Sequence, residues 1–293
     1  MRVDHNELVI SGKLVKILQF KEEWDIDVDD PETITRKIKE AGIKADIFTF
    51  QQRLPNSKPK FNYCMAWDSA AAIPIKSYDY WLKKQVSQNS RKKIGLAIRK
   101  GVELKVCEFN DDFVNQQLAI YHETPIRQGR PNWDYNIDFE TAKKANATFL
   151  DRAIFLGAFY KKELIGFIKI VDAGKFMRTM GILGKNCHRD KAPMNLLIAK
   201  AVEICASRNS PYLTYSKFDY GKVGSDTIKA FKRNLGFENI LLPRYYIPLN
   251  TWGILATKFG FHNGIVELMP KLILNSLINL RSTWYSRKYK ENN

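Results

Sequence analysis

Cysteine is scarce in this chain, and its few copies are isolated. Of 293 residues four are cysteines, Cys64, Cys107, Cys187 and Cys205, with no paired spacing. Neither a disulfide framework nor a zinc site is indicated, and reduced thiols in a cytoplasm are the expectation. No metal-ligand spacing and no Gly-x-Ser-x-Gly elbow occurs, which removes metalloenzyme and serine hydrolase chemistry. No apolar run approaches the roughly 20 residues that span a bilayer, and the amino-terminal MRVDHNELVISGKL scatters charges where a signal peptide needs an apolar core, so export is not expected.

Acidic residues are also short. There are 31 Asp and Glu against 47 Lys and Arg, a formal charge of +16, so an anionic partner is expected: nucleic acid, an anionic membrane face, or a phosphate-bearing substrate. Aromatics are not interleaved with basic residues as in a stacking platform, which makes sequence-specific nucleic-acid binding the weakest of the three and excludes DNA as a partner. What the chain has in quantity is hydrophobic sequence, 45%, enough to core one large domain or two small ones.

Periodicity organises that material. Over 13–101 the spacing predicts strands in KLVKILQF, KADIFTFQQ, FNYCMAW and AAIPIK, a short helix in DDPETITRKIKEAG, and one long helix from Ser77 to Gly101. That helix has Tyr80, Trp81, Lys84, Val86, Ile94, Ala97 and Ile98 on its core side. Its cluster Arg91, Lys92, Lys93, Arg99 and Lys100 is either a solvated face or a contact for a phosphate-bearing substrate. From Val102 the order is strand (VELKVCEF), helix capped by Asn110, second helix (FETAKKANATFL), then three strands AIFLGAFY, ELIGFIKIV and FMRTMGILG joined by tight turns as an antiparallel meander. A helix at 192–208, a strand at Tyr212–Phe218, a helix at 225–235 and a strand in ENILLPRYYIPL close the unit. The fold class is α/β with a mixed sheet, divided as 1–101, 102–250 and a tail 251–293.

Within this order 191–237 carries the chemistry. Pro193 suits a first helical turn, and the start of that helix presents free N–H groups and a positive dipole end, which favours phosphate. Gly221 and Gly224 loosen the backbone past the next strand, so Ser216, Asp219, Tyr220 and Lys222 are placed where α/β sheets bind ligands. Ser225 or Asp226 caps the following helix, which stops at Gly236.

The β-α-α-β-β-β-α-β-α-β order resembles the GNAT acyltransferase fold, and FKRNLGFE is similar to its Phe-Tyr-x-x-Leu-Gly-Phe closing helix. The run Asn195–Phe237, with its Leu-Leu helix, Phe-Asp-Tyr-Gly turn, Gly-Ser and Phe-Lys-Arg, resembles more narrowly the FemAB-like branch, which moves acyl or aminoacyl groups in cell-envelope and polysaccharide building. Residues 13–100 then correspond to an abbreviated GNAT-like first half. The resemblance implies an N-acyltransferase with acyl-CoA as co-substrate, held at Arg189, Lys191, Ala192, Met194 and Asn195, and with backbone N–H groups of a splayed strand around Met180 and Ile182 polarising the donor carbonyl. Three departures from the GNAT pattern stand out: the phosphate loop Cys187–Met194 has no glycine, Lys232 occupies the position of the usual tyrosine, as in the Fem-type pattern, and the first half is too short to be a complete GNAT unit. An aminoacyl-tRNA donor, or a non-catalytic module that binds a membrane or an anionic polymer, are the alternatives.

Attack by an amine needs a proton acceptor and oxyanion donors. In the loop YHETPIRQGRPNW, His122 is a base at neutral pH and Glu123 becomes one if desolvation raises its pKa, while Arg127 and Arg130 clamp a phosphate or carboxylate of the acceptor. Asp219 orients the acceptor amine or caps the Gly221 turn; Lys232 stabilises charge or faces water. The expected acceptor is a nucleotide-linked or lipid-linked amino sugar. In the tail, Leu272, Ile273, Leu277, Leu280 and Trp284 line one side of a helix opened by Pro270, with Arg281, Arg287, Lys288 and Lys290 at its end. Such a helix suits peripheral attachment to the inner membrane face, or docking on the body.

Overall fold

The structure, a computed structural model, describes residues 1–3, 5–127, 130–220 and 226–263, with Arg130 and Asn263 as backbone only, and isolated positions from 276 to 287. In chain order the elements are β1 (Arg2–Val3), β2 (Asn6–Ser11), β3 (Ile17–Phe20), α1 (Pro31–Glu40), β4 (Ile47–Gln51), β5 (Cys64–Pro74), α2 (Tyr78–Tyr80, continued by a π turn Trp81–Gln85), α3 (Gln88–Arg99), β6 (Glu103–Cys107), α4 (Asp111–Tyr121), β7 (Ile126–Arg127), β8 (Arg130–Pro131), α5 (Phe139–Asn146), β9 (Ala153–Tyr160), β10 (Glu163–Asp172), β11 (Met177–Gly184), α6 (Pro193–Ser207), β12 (Tyr212–Thr214), α7 (Asp226–Asn234), β13 (Glu238–Pro248) and α8 (Thr251–Lys258).

The chain forms two units. The first gathers Met1–Ala70, Asp219–Val223 and Asn239–Leu274. Its strands run β1-β2-β3-β4-β13, with β3 and β4 parallel and the others antiparallel. Leu18, Phe20, Ile38, Phe48, Phe50 and Tyr245 fill its core. Arg244 is buried there because two carboxylates meet it, Glu23 Oε2 at 3.0 Å and Asp68 Oδ2 at 2.9 Å; a charge removed from water needs such partners.

The second unit comprises Ala71–Phe218, Gly224–Glu238 and Asn275–Asn293. Its strands run from the end of β5 through β12, β11, β10, β9 and β6. The meander β9-β10-β11 is antiparallel, as its short turns require. At the first turn Lys161 and Lys162 both take positive φ, 50° and 69°, the backbone of a two-residue hairpin turn whose twist matches the strands. β12 returns parallel to β11, and α6 supplies the crossover helix, burying Leu197, Ile198, Ala201, Val202 and Cys205. The element order from β6 to β13 follows the β-α-α-β-β-β-α-β-α-β expected from the sequence, with the short β7–β8 hairpin added between α4 and α5.

Several sequence expectations change. The long helix 77–101 is two helices: Val86 is extended (φ −77°, ψ 134°), and Ser87 restarts the chain as an N-cap accepting from Ser90 N–H. Arg91 fills the break, donating from Nη1 to the carbonyls of Val86 at 2.7 Å and Lys83 at 3.2 Å. The apolar spacing runs through the break because both helices pack on one core, which hides it from periodicity. Trp81, Val86, Ile94 and Ala97 are buried, but Tyr80 and Ile98 are exposed. The CMAW of the first of these segments and the AAIP of the second lie in the single strand β5, so FNYCMAW and AAIPIK are not two strands. The strand expected at 212–218 ends at Thr214. Strand β2 and helix α8 were not anticipated. Apart from isolated positions, the basic tail helix falls outside the described residues.

Candidate functional site

The site begins where β11 loses a neighbour. β11 pairs with β10 from end to end, with a register shift that leaves Met180 as a bulge, but it pairs with β12 only at Met177 and Arg178. A bulge bends the strand and re-aims its groups. β12 stops because Ser216 is left-handed (φ 48°). Lys232 of α7 fastens that turn, donating to Tyr215 O at 3.0 Å and Lys217 O at 2.5 Å, and its ammonium lies 4.3 Å from the centre of the Tyr215 ring. Thr179 Oγ1 donates to Thr214 O at 3.1 Å, a last tie across the seam. Beyond it the two chains part and a cleft of about 450 Å³ opens.

Six residues named from the sequence line this cleft together: Arg127, Ile182, Arg189, Ala192, Met194 and Asn195. Lys93, Lys185, Asn186, Tyr215, Thr227 and Phe231 complete much of the wall. Of these, Lys93 belongs to the basic cluster already noted and Phe231 opens the Phe-Lys-Arg of the closing helix; the others carry no motif that sequence reasoning could use. The first turn of α6 enters the wall through Ala192, which is left-handed (φ 51°) and gives no side-chain cap. Gly166 and Gly184 let Met194 lie against the sheet: a Cβ on either would come within 2.8 Å of its methyl carbon.

Electrostatics give the cleft one sign. Its lining holds Lys93, Arg127, Lys185 and Arg189 and no carboxylate or imidazole among the described residues. Two of the four cations are occupied. Lys185 Nζ is 2.5 Å from Glu163 Oε1. Arg127 donates to Gly184 O at 2.9 Å and Ile120 O at 2.6 Å and meets Glu123 at 3.2 Å. Lys93 and Arg189 have no hydrogen-bond or ion-pair partner among the described residues, so their charge is available to a ligand.

Glu123 departs from expectation. It does not face the cleft; it caps the 3-10 turn Asn186–Lys191, Oε2 accepting from Asn186 N–H at 2.7 Å and Oε1 from Cys187 N–H at 3.0 Å. Burial pushes its carboxyl up, but those N–H groups and the Arg127 charge outweigh burial and hold it below the usual carboxylate range. A raised pKa, and with it a base, is thereby corrected to an ionised structural cap. Its neighbour His122 is exposed, with Nε2 2.8 Å from Ile137 O, and does not line the cleft.

The other named residues are dispersed. Lys191 pairs with Asp190 at 3.2 Å and lies 4.8 Å from the Tyr160 ring centre, outside the lining. Lys232 is fully buried, and desolvation lowers its pKa from 10.5 to about 8; it neither faces water nor lines the cleft, but supports the Tyr215 wall from beneath. Ser216 forms the turn and its carbonyl accepts from Ala71 N–H at 2.9 Å. Asp219 and Tyr220 group with the first unit, where Asp219 N–H donates to Ser69 Oγ at 2.8 Å. Arg130 pairs through its backbone with Arg127 in the β7–β8 hairpin. Lys222 lies outside the described residues.

No family model matches the chain, and no curated protein matches it by sequence. Solved structures do. The carboxy-terminal domain of a putative lysylphosphatidylglycerol synthetase from Agrobacterium fabrum is 12% identical, with 87% of this chain and 84% of that one covered and a TM-score of 0.56. A structure titled L-PGS from Bacillus licheniformis is 13% identical over 87% and 86% of the two chains, TM-score 0.54. FemX is 13% identical over 75% and 70%, TM-score 0.47. At these identities the likeness is one of fold.

Proposed function

We propose that the second unit is an N-acyltransferase of the Fem type, which takes an acyl or aminoacyl group from a phosphate-bearing donor and passes it to an amine. The observation that carries this reading is the cleft at the parting of β11 and β12, walled by the start of α6 and holding two cations, Lys93 and Arg189, without a partner among the described residues. Donor phosphates would lie against these side chains and the α6 terminus. The acceptor's neutral amine attacks the donor carbonyl, N–H groups of β11 beyond Thr179 stabilise the oxyanion, and collapse expels the thiolate or alkoxide. No covalent enzyme intermediate is needed. With no carboxylate or imidazole in the described lining, the ammonium proton leaves through water or to the departing group.

Donor identity turns on the backbone amides before α6. A CoA pyrophosphate loop offers several free N–H groups, but here those of Asn186 and Cys187 are bound by Glu123, His188 N–H by Lys185 O and Ala192 N–H by Arg189 O. This favours a donor gripped by side-chain charge, and an aminoacyl-tRNA in preference to acetyl-CoA. The Agrobacterium neighbour is named as a putative lysylphosphatidylglycerol synthetase, which supports an aminoacyl in preference to an acetyl group as the one moved. The acceptor we favour is an amine on a phosphate-bearing envelope precursor, nucleotide-linked or lipid-linked. Transfer assays with charged tRNA and with acyl-CoA, scored by mass on amino-sugar acceptors, test the reading. Thiol release from acyl-CoA without tRNA-dependent transfer would reverse the donor assignment, and transfer from neither would remove the enzyme.

A further inference from the structure

The first unit carries a surface that acyl transfer does not use. Helix α8 is inverted in polarity for a helix at a surface: Gly253 and Ala256 face inward, while Trp252, Leu255 and Phe259 form an outward stripe at spacings of three and four. Phe259 is 63% exposed, and Phe261 stacks beside it at 6.0 Å between ring centres and lies 6.4 Å from Trp252. The stripe is held rigidly. Asn250 caps α8 through Gly253 N–H, and Trp252 Nε1 donates to Leu14 O at 3.1 Å. Leu14 itself is 61% exposed and continues the apolar surface.

Leu14 also borders a basic depression. Lys13, Lys16, Lys39 and Lys44 surround a hollow of about 480 Å³ whose one acid is Asp46. None of the four ammonium groups has a partner among the described residues, because Asp46 is consumed otherwise: its carboxylate accepts from Lys16 N–H at 2.7 Å and from the Asn250 amide at 2.9 Å. An exposed aromatic stripe of this kind marks an interaction surface. The same pair of features fits a lipid interface, where indole and phenyl rings enter the headgroup boundary and each lysine adds attraction to anionic headgroups.

We infer that this face of the first unit docks on an anionic bilayer surface, with Trp252, Leu255, Phe259 and Phe261 in the interface and the four lysines over the lipid phosphates. A protein partner is the poorer match, since it would have to bring a matching set of acids to the lysines.

Flotation of the full chain with phosphatidylcholine vesicles, with and without phosphatidylglycerol, tests the inference. Binding is expected with the anionic vesicles and not with the neutral ones, weakening as salt rises. Trp252→Asp with Phe259→Asp should lower partitioning by about tenfold or more. Lys13→Gln and Lys16→Gln should each lower it by about fivefold, with circular dichroism and Tm unchanged, since both side chains are exposed and without a partner among the described residues, and Phe259→Asp alone, which leaves the Trp252–Leu14 hydrogen bond in place, should weaken binding in the same direction. Equal binding to neutral vesicles, or binding that survives both sets of substitutions, would overturn the inference. So would a lipid-free dimer in sedimentation velocity that Phe259→Asp dissociates, because a second copy would then cover the stripe.

Discussion

Lys232 shows how one buried amine can set a wall of the cleft. Its ammonium is removed from water and donates to the carbonyls of Tyr215 and Lys217, and desolvation brings its pKa down to about 8. Between pH 8 and 10.5 the unfolded chain holds a proton that the native chain has released, so stability rises with pH through that window and the deficit is complete below it. Relative to Lys232→Met, the wild-type unfolding free energy should therefore gain up to about 3 kcal/mol from pH 8 to 10.5; denaturant melts across that range check it. Glu123 behaves oppositely. Its folded pKa is lowered, so its contribution is present above the usual carboxyl value and lost as pH falls through the folded one. Glu123→Ala should cost about 2 kcal/mol at pH 7, the range for charged hydrogen bonds, and the difference should vanish in acid.

Among the elements, the sequence was legible where periodicity and local chemistry agree. The meander, the α6 crossover and the Asn110 cap all follow from spacing and cap residues. Less legible was anything decided by distant groups. Val86 breaks a helix whose pattern continues because Arg91 bonds the freed carbonyls, and β12 ends early because Lys232, sixteen residues after Ser216, fastens the turn. Helix α8 is hard to read because its eight residues carry apolar groups all round, Gly253 and Ala256 buried and Trp252, Ile254 and Leu255 exposed, so no amphipathic period marks it. Its docking can be probed at Gly253, where a Cβ would fall 2.0 Å from Asp46 O. Gly253→Ala should displace the helix and destabilise the first unit by about 1–3 kcal/mol, read as a lowered Tm.

At the scale of the molecule, the net charge of +16 resolves into local tasks. Some lysines and arginines are structural, as Arg91, Arg127 and Arg244 are; Lys93 and Arg189 face the cleft, and another group lies beside α8. Of the residues named from the sequence, those at the start of α6 line the cleft, because a helix terminus and a parting strand follow from the order of elements. It misassigned Glu123, since whether a carboxylate is a base or a cap depends on which N–H groups fold against it. The central claim is that side-chain charge in this cleft holds the donor of an acyl transfer. The most direct measurement is kcat/KM for transfer from charged tRNA to an amine acceptor, compared between wild type, Arg189→Ala and Lys93→Ala. The account predicts transfer by the wild type and a fall of about tenfold or more in each variant, as expected when a charge-assisted contact to phosphate is removed. Transfer undiminished in both variants, or none by the wild type from charged tRNA or acyl-CoA, would contradict it.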